Sequence, residues 1–320
     1  MKKRNVVTLS VVCLMMVVLV GCGTVSKKQF FNITTGGTGG TYYPVGGALA
    51  DVLSSNIEGL TVTAQAGNAS VGNVNLLSNH ETESAFVQNN VAFWAYEGQA
   101  SFEGNAVDNL RGIASLYPEA IQIVALESSG ITSVEDLKGK KVSVGEQGSG
   151  VEVDVKNILD VHGLTYDDMS IDYLSFTEAA QKLKDKQIDA AFVTAGYPTS
   201  SVMDVSKSRD IVIVPIAEEK VNAMIEKSPY YAQTTIPAGT YDGQDEPVNT
   251  ATTMAMWVCD AEADDDLVYG MTKALWENRQ KLEETHDKGK DITIDTALDG
   301  MAIPLHPGAE KYYKEQGIID

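Results

Sequence analysis

Phe30-Phe31-Asn32-Ile33-Thr34 is followed at once by Thr35-Gly36-Gly37-Thr38-Gly39-Gly40-Thr41, and then by Tyr42-Tyr43-Pro44-Val45. The first run reads as a strand. The second holds four Gly and three Thr in seven residues. The third opens a helix over 42–54, with Val45, Ala48, Leu49 and Val52 at helical spacing. Strand, glycine loop and helix in this order begin an α/β unit. Glycine permits a tight turn and close approach of the backbone to a ligand. The helix start aims its N–H groups at the loop, an arrangement that suits an anion. It is not a dinucleotide loop, because counting from Gly37 the place of the third Gly holds Tyr42. It also lacks the Lys of a nucleoside-triphosphate loop.

The same logic extends outward. Residues 60–66 alternate as a strand, 70–78 read as a helix and 84–88 as a strand. The resulting βαβαβ order predicts a mainly parallel sheet covered by helices. A second α/β block starts near residue 127. There 133–137 open a short helix, and a strand over 141–144 leads into Gly145-Glu146-Gln147-Gly148-Ser149-Gly150. The next helix ends near His162-Gly163, where Gly suits the position past the last turn. Helices are predicted over 176–186, with Thr177 as N-cap, and over 197–207. Strands are predicted over 189–193, 211–214 and 248–258. Asp264-Asp265-Asp266 open another helix, where carboxylates favourably oppose the helix dipole. The last helix is predicted over 309–316.

These blocks predict an α/β fold of two lobes, the second inserted in the first, with a hinge cleft between them. The expected division gives 30–122 and 245–320 to the first lobe and 123–244 to the second. The chain would cross near 120–127 and 238–248. Ligand would sit in the cleft, at the C-terminal ends of the strands.

The N-terminus reads as an export signal. Lys2-Lys3-Arg4 precede an apolar run over 6–20, short for a membrane span and right for a signal-peptide core. Leu19-Val20-Gly21-Cys22 resembles the lipobox of bacterial lipoproteins. That resemblance implies a signal over 1–21, acylation of Cys22 and a tether over 22–29. The chain would then be extracytoplasmic and lipid-anchored to the cell membrane. With 44 acidic and 24 basic residues, the formal charge is −20, which repels nucleic acid. Only Cys259 would remain as a free thiol, so no disulfide framework is expected in a monomer.

Polar side chains gather at the predicted strand ends. Ser70 and Asn73 stand three apart at a helix start and share a face. Gln88 ends the third strand. Ser149 is an N-cap, a ligand contact or both, and Gln147 rules out a nucleophile elbow around it. The four His are scattered, without metal-ligand spacing, and no nucleophile–base pair stands out. The reading is therefore a binding protein and not an enzyme, with no metal and no cofactor. An extracytoplasmic hydrolase and an adhesion protein are the weaker alternatives.

Six segments carry a family resemblance: Gly37 to Gly46, Ser133 to Gly145, Gly148-Ser149-Gly150, Asp189-Ala190-Ala191-Phe192, Ile236 to Tyr241, and Pro304-Leu305-His306-Pro307-Gly308-Ala309. Together they resemble the TAXI-type solute receptors of TRAP (tripartite ATP-independent periplasmic) transporters. The resemblance implies a two-lobed periplasmic-binding-protein fold, type II-like, that closes on its ligand. It implies a small carboxylate or amino acid as ligand, glutamate-like or a dicarboxylate, and handover to a TRAP membrane permease driven by an ion gradient. Matched loop by loop, it implies ligand contacts at Gly37, Thr38, Tyr42, Ser70, Asn73, Gln88, Ser149, Glu152, Gly196 and Tyr197. The alternative is a receptor of the same fold serving an ABC transporter or a sensor.

Overall fold

The structure is a computed structural model that describes residues 29–320. The basic start, the apolar run and Cys22 lie outside the described residues. In β1 (Gln29–Thr34), two-residue alternation turns Phe31 and Ile33 into the core. The glycine loop then feeds α1 (Tyr42–Asn56), which buries Val45, Leu49, Val52 and Leu53. Next come β2 (Leu60–Gln65), α2 (Ser70–Ser78) and β3 (Ser84–Gln88), all where the sequence places them. β1 lies between β2 and β3 and is parallel to both.

Two elements that follow are not announced by the sequence pattern: α3 (Asn89–Glu97) and β4 (Leu110–Leu126). β4 is hidden because Gly112 and Pro118 interrupt it and Glu119 and Gln122 face inward. Proline inside a run argues against a central strand. Here Pro118 sits beside a register shift, where the ladder is already irregular.

The stretch expected to form the second lobe holds β5 (Lys141–Ser143), α4 (Gly150–Val161), β6 (Ser170–Asp172), α5 (Phe176–Lys184), β7 (Ala190–Ala195), α6 (Ser200–Ser206), β8 (Ile211–Val214), α7 (Glu218–Lys227) and β9 (Ala232–Ile236). The chain returns through β10 (Val248–Asp260) to α8 (Asp265–Glu277), α9 (Gln280–Thr285) and α10 (Pro307–Glu315).

Two sequence expectations need correction. The N-cap of α5 is Ser175, not Thr177. Ser175 Oγ accepts from Glu178 N at 3.3 Å, and Glu178 accepts in return from Ser175 N at 3.0 Å, a capping box. The helix expected from residue 197 starts at Ser200, because Pro198 disfavours helical backbone at Tyr197.

Among the described residues the strands form one sheet, ordered β2-β1-β3-β10-β4-β7-β5-β6, with β8 added to β4 and β9 to β10. β4 and β10 run antiparallel through its middle. The end of β10 at Ala255–Cys259 pairs with β3 in the first lobe, while its beginning at Val248–Thr252 pairs with β9 in the second. The end of β4, from Ala120 to Ala125, pairs with β7. Both strands therefore belong to both lobes. Their mutual register shifts at Ala255/Met256 and again at Trp257/Val258, irregularities that bend strands. Each lobe buries both sheet faces. Phe86 and Trp257 join one core in the first lobe, and Val87 and Val258 the other. Ile123 and Phe192 do the same against Val124 and Val193 in the second.

Candidate functional site

Three helix starts meet at one cavity. Thr41-Tyr42 belong to α1, Ala69-Ser70 to α2 and Ser149-Gly150-Val151 to α4. The first two come from the first lobe and the third from the second. Gln88 at the end of β3, Glu119 in β4 and Thr194 at the end of β7 complete the polar wall. Phe176 and Ala195 supply apolar surface. The centre of a water molecule can move through ≈ 40 Å³ of this space, where one water needs roughly 10–15 Å³. The cavity is thus shaped for a compact solute.

The lobes touch around it. Gly72 N donates to Gly148 O at 3.1 Å, and Ser201 N to Gly39 O at 3.2 Å. Thr41 Oγ1 donates to Gly196 O at 2.9 Å. The conformation is closed.

The residues expected at the site divide into two groups. Gly37, Tyr42, Ser70, Gln88 and Ser149 line the cavity. Ser70 Oγ accepts from Gln88 N at 3.0 Å, fixing the end of β3 against the start of α2. Ser149 also caps α4, its Oγ accepting from Glu152 N at 3.2 Å. The other five lie outside the lining. Thr38 is exposed. Asn73 is buried, its Nδ2 donating to the carbonyls of Thr35 at 2.9 Å and Phe86 at 2.8 Å. Glu152 accepts from Gly148 N at 2.8 Å and from Lys156 Nζ at 2.6 Å. Gly196 serves through its carbonyl. Tyr197 presents its ring to Lys288 Nζ, 3.9 Å from the centroid.

Sequence reasoning missed the carboxyls. Glu119 is buried in the cavity wall and accepts from Tyr42 OH at 2.7 Å. Burial pushes its carboxyl well above the ordinary range, Tyr42 draws it down, and the negative charge of Asp154 adds to the rise. Burial, then Glu119, likewise raises the Tyr42 phenol. Glu146, half-buried on the rim, is raised by burial and by Glu178. Among the described residues no Lys or Arg lines the cavity. Asp154, behind Gln88, is wholly buried. Its carboxylate accepts from Gln88 Nε2 at 2.9 Å, Thr194 Oγ1 at 2.8 Å, Tyr231 OH at 2.8 Å and Asn90 Nδ2 at 3.2 Å. Burial raises it to about 6 against the pull of those four donors. A signal for Asp154 did exist. It stands between Val151, Val155 and Ile158 on the apolar stripe of α4, where a solvated carboxylate has no place.

Away from the cleft, His80, Asp260 and Glu262 bring their donor atoms within 4.8 Å of one another at the far edge of the first lobe. The sequence reading names no metal ligand there.

A sheet of this order, with two lobes joined by two shared strands around a cleft, is the architecture of periplasmic solute-binding proteins. It is similar to the periplasmic binding protein BugD (TM-score 0.57, 13% identity, 90% of this chain and 94% of that one). It is also similar to an L-cystine ABC transporter candidate from Listeria monocytogenes (0.51, 15%, 83% and 98%). A third similar structure is the alkanesulfonate-binding protein SsuA from Xanthomonas axonopodis pv. citri bound to MOPS (0.50, 16%, 90% and 84%). At such identities the likeness is one of fold. The profile of the NMT1-like family matches residues 33–317, and the chain belongs to that family.

Proposed function

We propose that this chain is an extracytoplasmic solute-binding protein that captures a small amino acid, glutamate-like, and hands it to a membrane permease. The observation that carries the reading is the single cavity walled by helix starts from both lobes. A solute touching both lobes favours the closed state by its differential affinity for it. Its carboxylate would lie at the N-termini of α1, α2 and α4, where peptide dipoles and N–H groups favour negative charge. Its ammonium would meet Glu119. The carboxyls at Glu119 and Glu146, without a lining cation, favour a zwitterion over a dicarboxylate. The contacts proposed are Gly37, Tyr42, Ser70, Gln88, Glu119 and Ser149. Thr38, Asn73, Glu152, Gly196 and Tyr197 would act around the site rather than on the solute.

The lobe division proposed follows the strands, with the hinge in β4 and β10. The permease proposed is of TRAP type, on the six segments quoted above, with Cys22 as lipid anchor. An ATP-driven permease is the second reading, favoured by the fold shared with the Listeria ABC transporter candidate. Mass spectrometry of small molecules released from denatured protein tests the ligand class. An amino acid is the expected result. Recovery of sugars or metal ions alone, with no amino acid bound in calorimetry, would overturn it.

A further inference from the structure

We infer that Asp154 is a positioning residue that links closure of the two lobes to proton uptake. The inference rests on the solute-binding reading for its purpose, but its geometry stands apart from any ligand. Asp154 is carried by α4 in the second lobe, and two of its four donors, Gln88 and Asn90, come from the first. Closing the cleft therefore completes the burial of a carboxylate that, among the described residues, has no cation beside it. Opening would separate it from both first-lobe amides and uncover the side they screen, leaving Thr194 and Tyr231 from its own lobe.

The surroundings are otherwise neutral. β3 and α3 present Gln88 and Asn90, β7 presents Thr194, and β10 presents Thr253, which bonds Gln88 Nε2 at 3.2 Å. The titratable groups coupled to Asp154 are the Tyr231 phenol, which bonds it, and the Glu119 carboxyl across the cavity, which opposes its charge. Lys220 on α7 is engaged elsewhere, with Val161 O, and Lys227 with Asp160. On α4 itself, Glu152 and Lys156 pair with each other. Gln88 Oε1 is buried beside Asp154 without a hydrogen-bond partner. A half-turn of that amide would offer it as acceptor to the protonated acid, so the protonated form can be satisfied too.

The sign follows from the closed-state value. Burial holds Asp154 at about 6 when closed, and partial exposure on opening would lower it toward the ordinary carboxylate range. The closed state binds the extra proton, so closure strengthens as pH falls through about 6 and weakens as pH rises. The closure constant changes by at most about tenfold per pH unit across that window.

Small-angle X-ray scattering on the purified protein without added ligand, from ~pH 8 to ~pH 4.5, reads the radius of gyration directly. The wild type is expected to become more compact on acidification through the window. Asp154→Asn is expected to weaken that transition, leaving the part carried by the Glu119 and Glu146 carboxyls. Asn90→Asp, which sets a second carboxyl opposite the first, is expected to shift it to higher pH, and it keeps the test open if the first variant fails to fold. A pH-independent wild type, or a transition unchanged in both variants, would overturn the inference. Failure to find an amino acid in the released pool would instead count against the ligand class and leave this result standing.

Discussion

Gly150 and Gln88 meet across the cleft so closely that a β-carbon on Gly150 would overlap Gln88 Oε1 and lie 2.9 Å from Ser70 Oγ. Gly150 is the first residue of α4, where alanine is conformationally acceptable. The glycine is thus required by the other lobe and not by its own backbone. Gly150→Ala is expected to leave thermal stability of the open protein near wild type and to block full closure. Solute affinity in calorimetry should fall by at least about tenfold, equivalent to roughly 1.4 kcal/mol. An unchanged affinity would mean that the closed arrangement described above is not the binding state.

Glu119 predicts a proton balance. Burial raises its carboxyl, and an ammonium placed against it would lower it again. At a pH where part of the Glu119 population is protonated before binding, capture of an amino acid should therefore release protons from it. Calorimetry in buffers of different ionisation enthalpy reads this directly. Glu119→Gln should abolish the release and weaken binding by about 2 kcal/mol, roughly thirtyfold. A variant binding as tightly as wild type would place the ammonium elsewhere.

Asn73 shows how a site reading by spacing can go astray. Ser70 and Asn73 do share a helix start, yet Ser70 turns to the cavity while Asn73 turns to backbone carbonyls. Gly67 packs against it, since a β-carbon there would come within 2.7 Å of Asn73 Oδ1. Asn73→Ala is expected to destabilise the fold by about 2–3 kcal/mol in urea unfolding, by stranding buried carbonyls. Ligand preference should not change. Loss of binding without loss of stability would restore Asn73 as a contact.

The parts of the fold legible in the sequence are those governed by local rules. The alternation of 30–34 and 60–66, the helical spacing of 42–54 and the carboxylates at the start of α8 all act within a few residues. Asp264 Oδ1 indeed accepts from Leu267 N at 2.9 Å. β4 was not legible, because its polar and proline residues make sense only beside β10 and the other lobe. Glu119 was lost with it. In the same way, the exposure of Thr38 is decided by which loops the second lobe covers. That depends on contacts between residues far apart in sequence.

Lys288 straps the C-terminal segment of the first lobe to the second. Its stem is so close to Gly196 that a β-carbon there would lie 2.5 Å from Cγ. Its ammonium sits 3.9 Å from the centroid of the Tyr197 ring and donates to Asp291 at 2.8 Å. The ring and the cation come from different lobes, so their attraction exists only when the cleft is closed. A partly desolvated pair of this kind contributes about 1 kcal/mol. Lys288→Met keeps the stem and removes the charge, and it is expected to weaken solute binding by about fivefold. Tyr197→Phe should bind as wild type, because the face of the ring is retained. Tyr197→Leu should reproduce the Lys288→Met loss, and the double variant should be no weaker than either single one. Additive losses in that cycle would show that the two side chains act independently, and the strap would then reduce to packing of the lysine stem on Gly196.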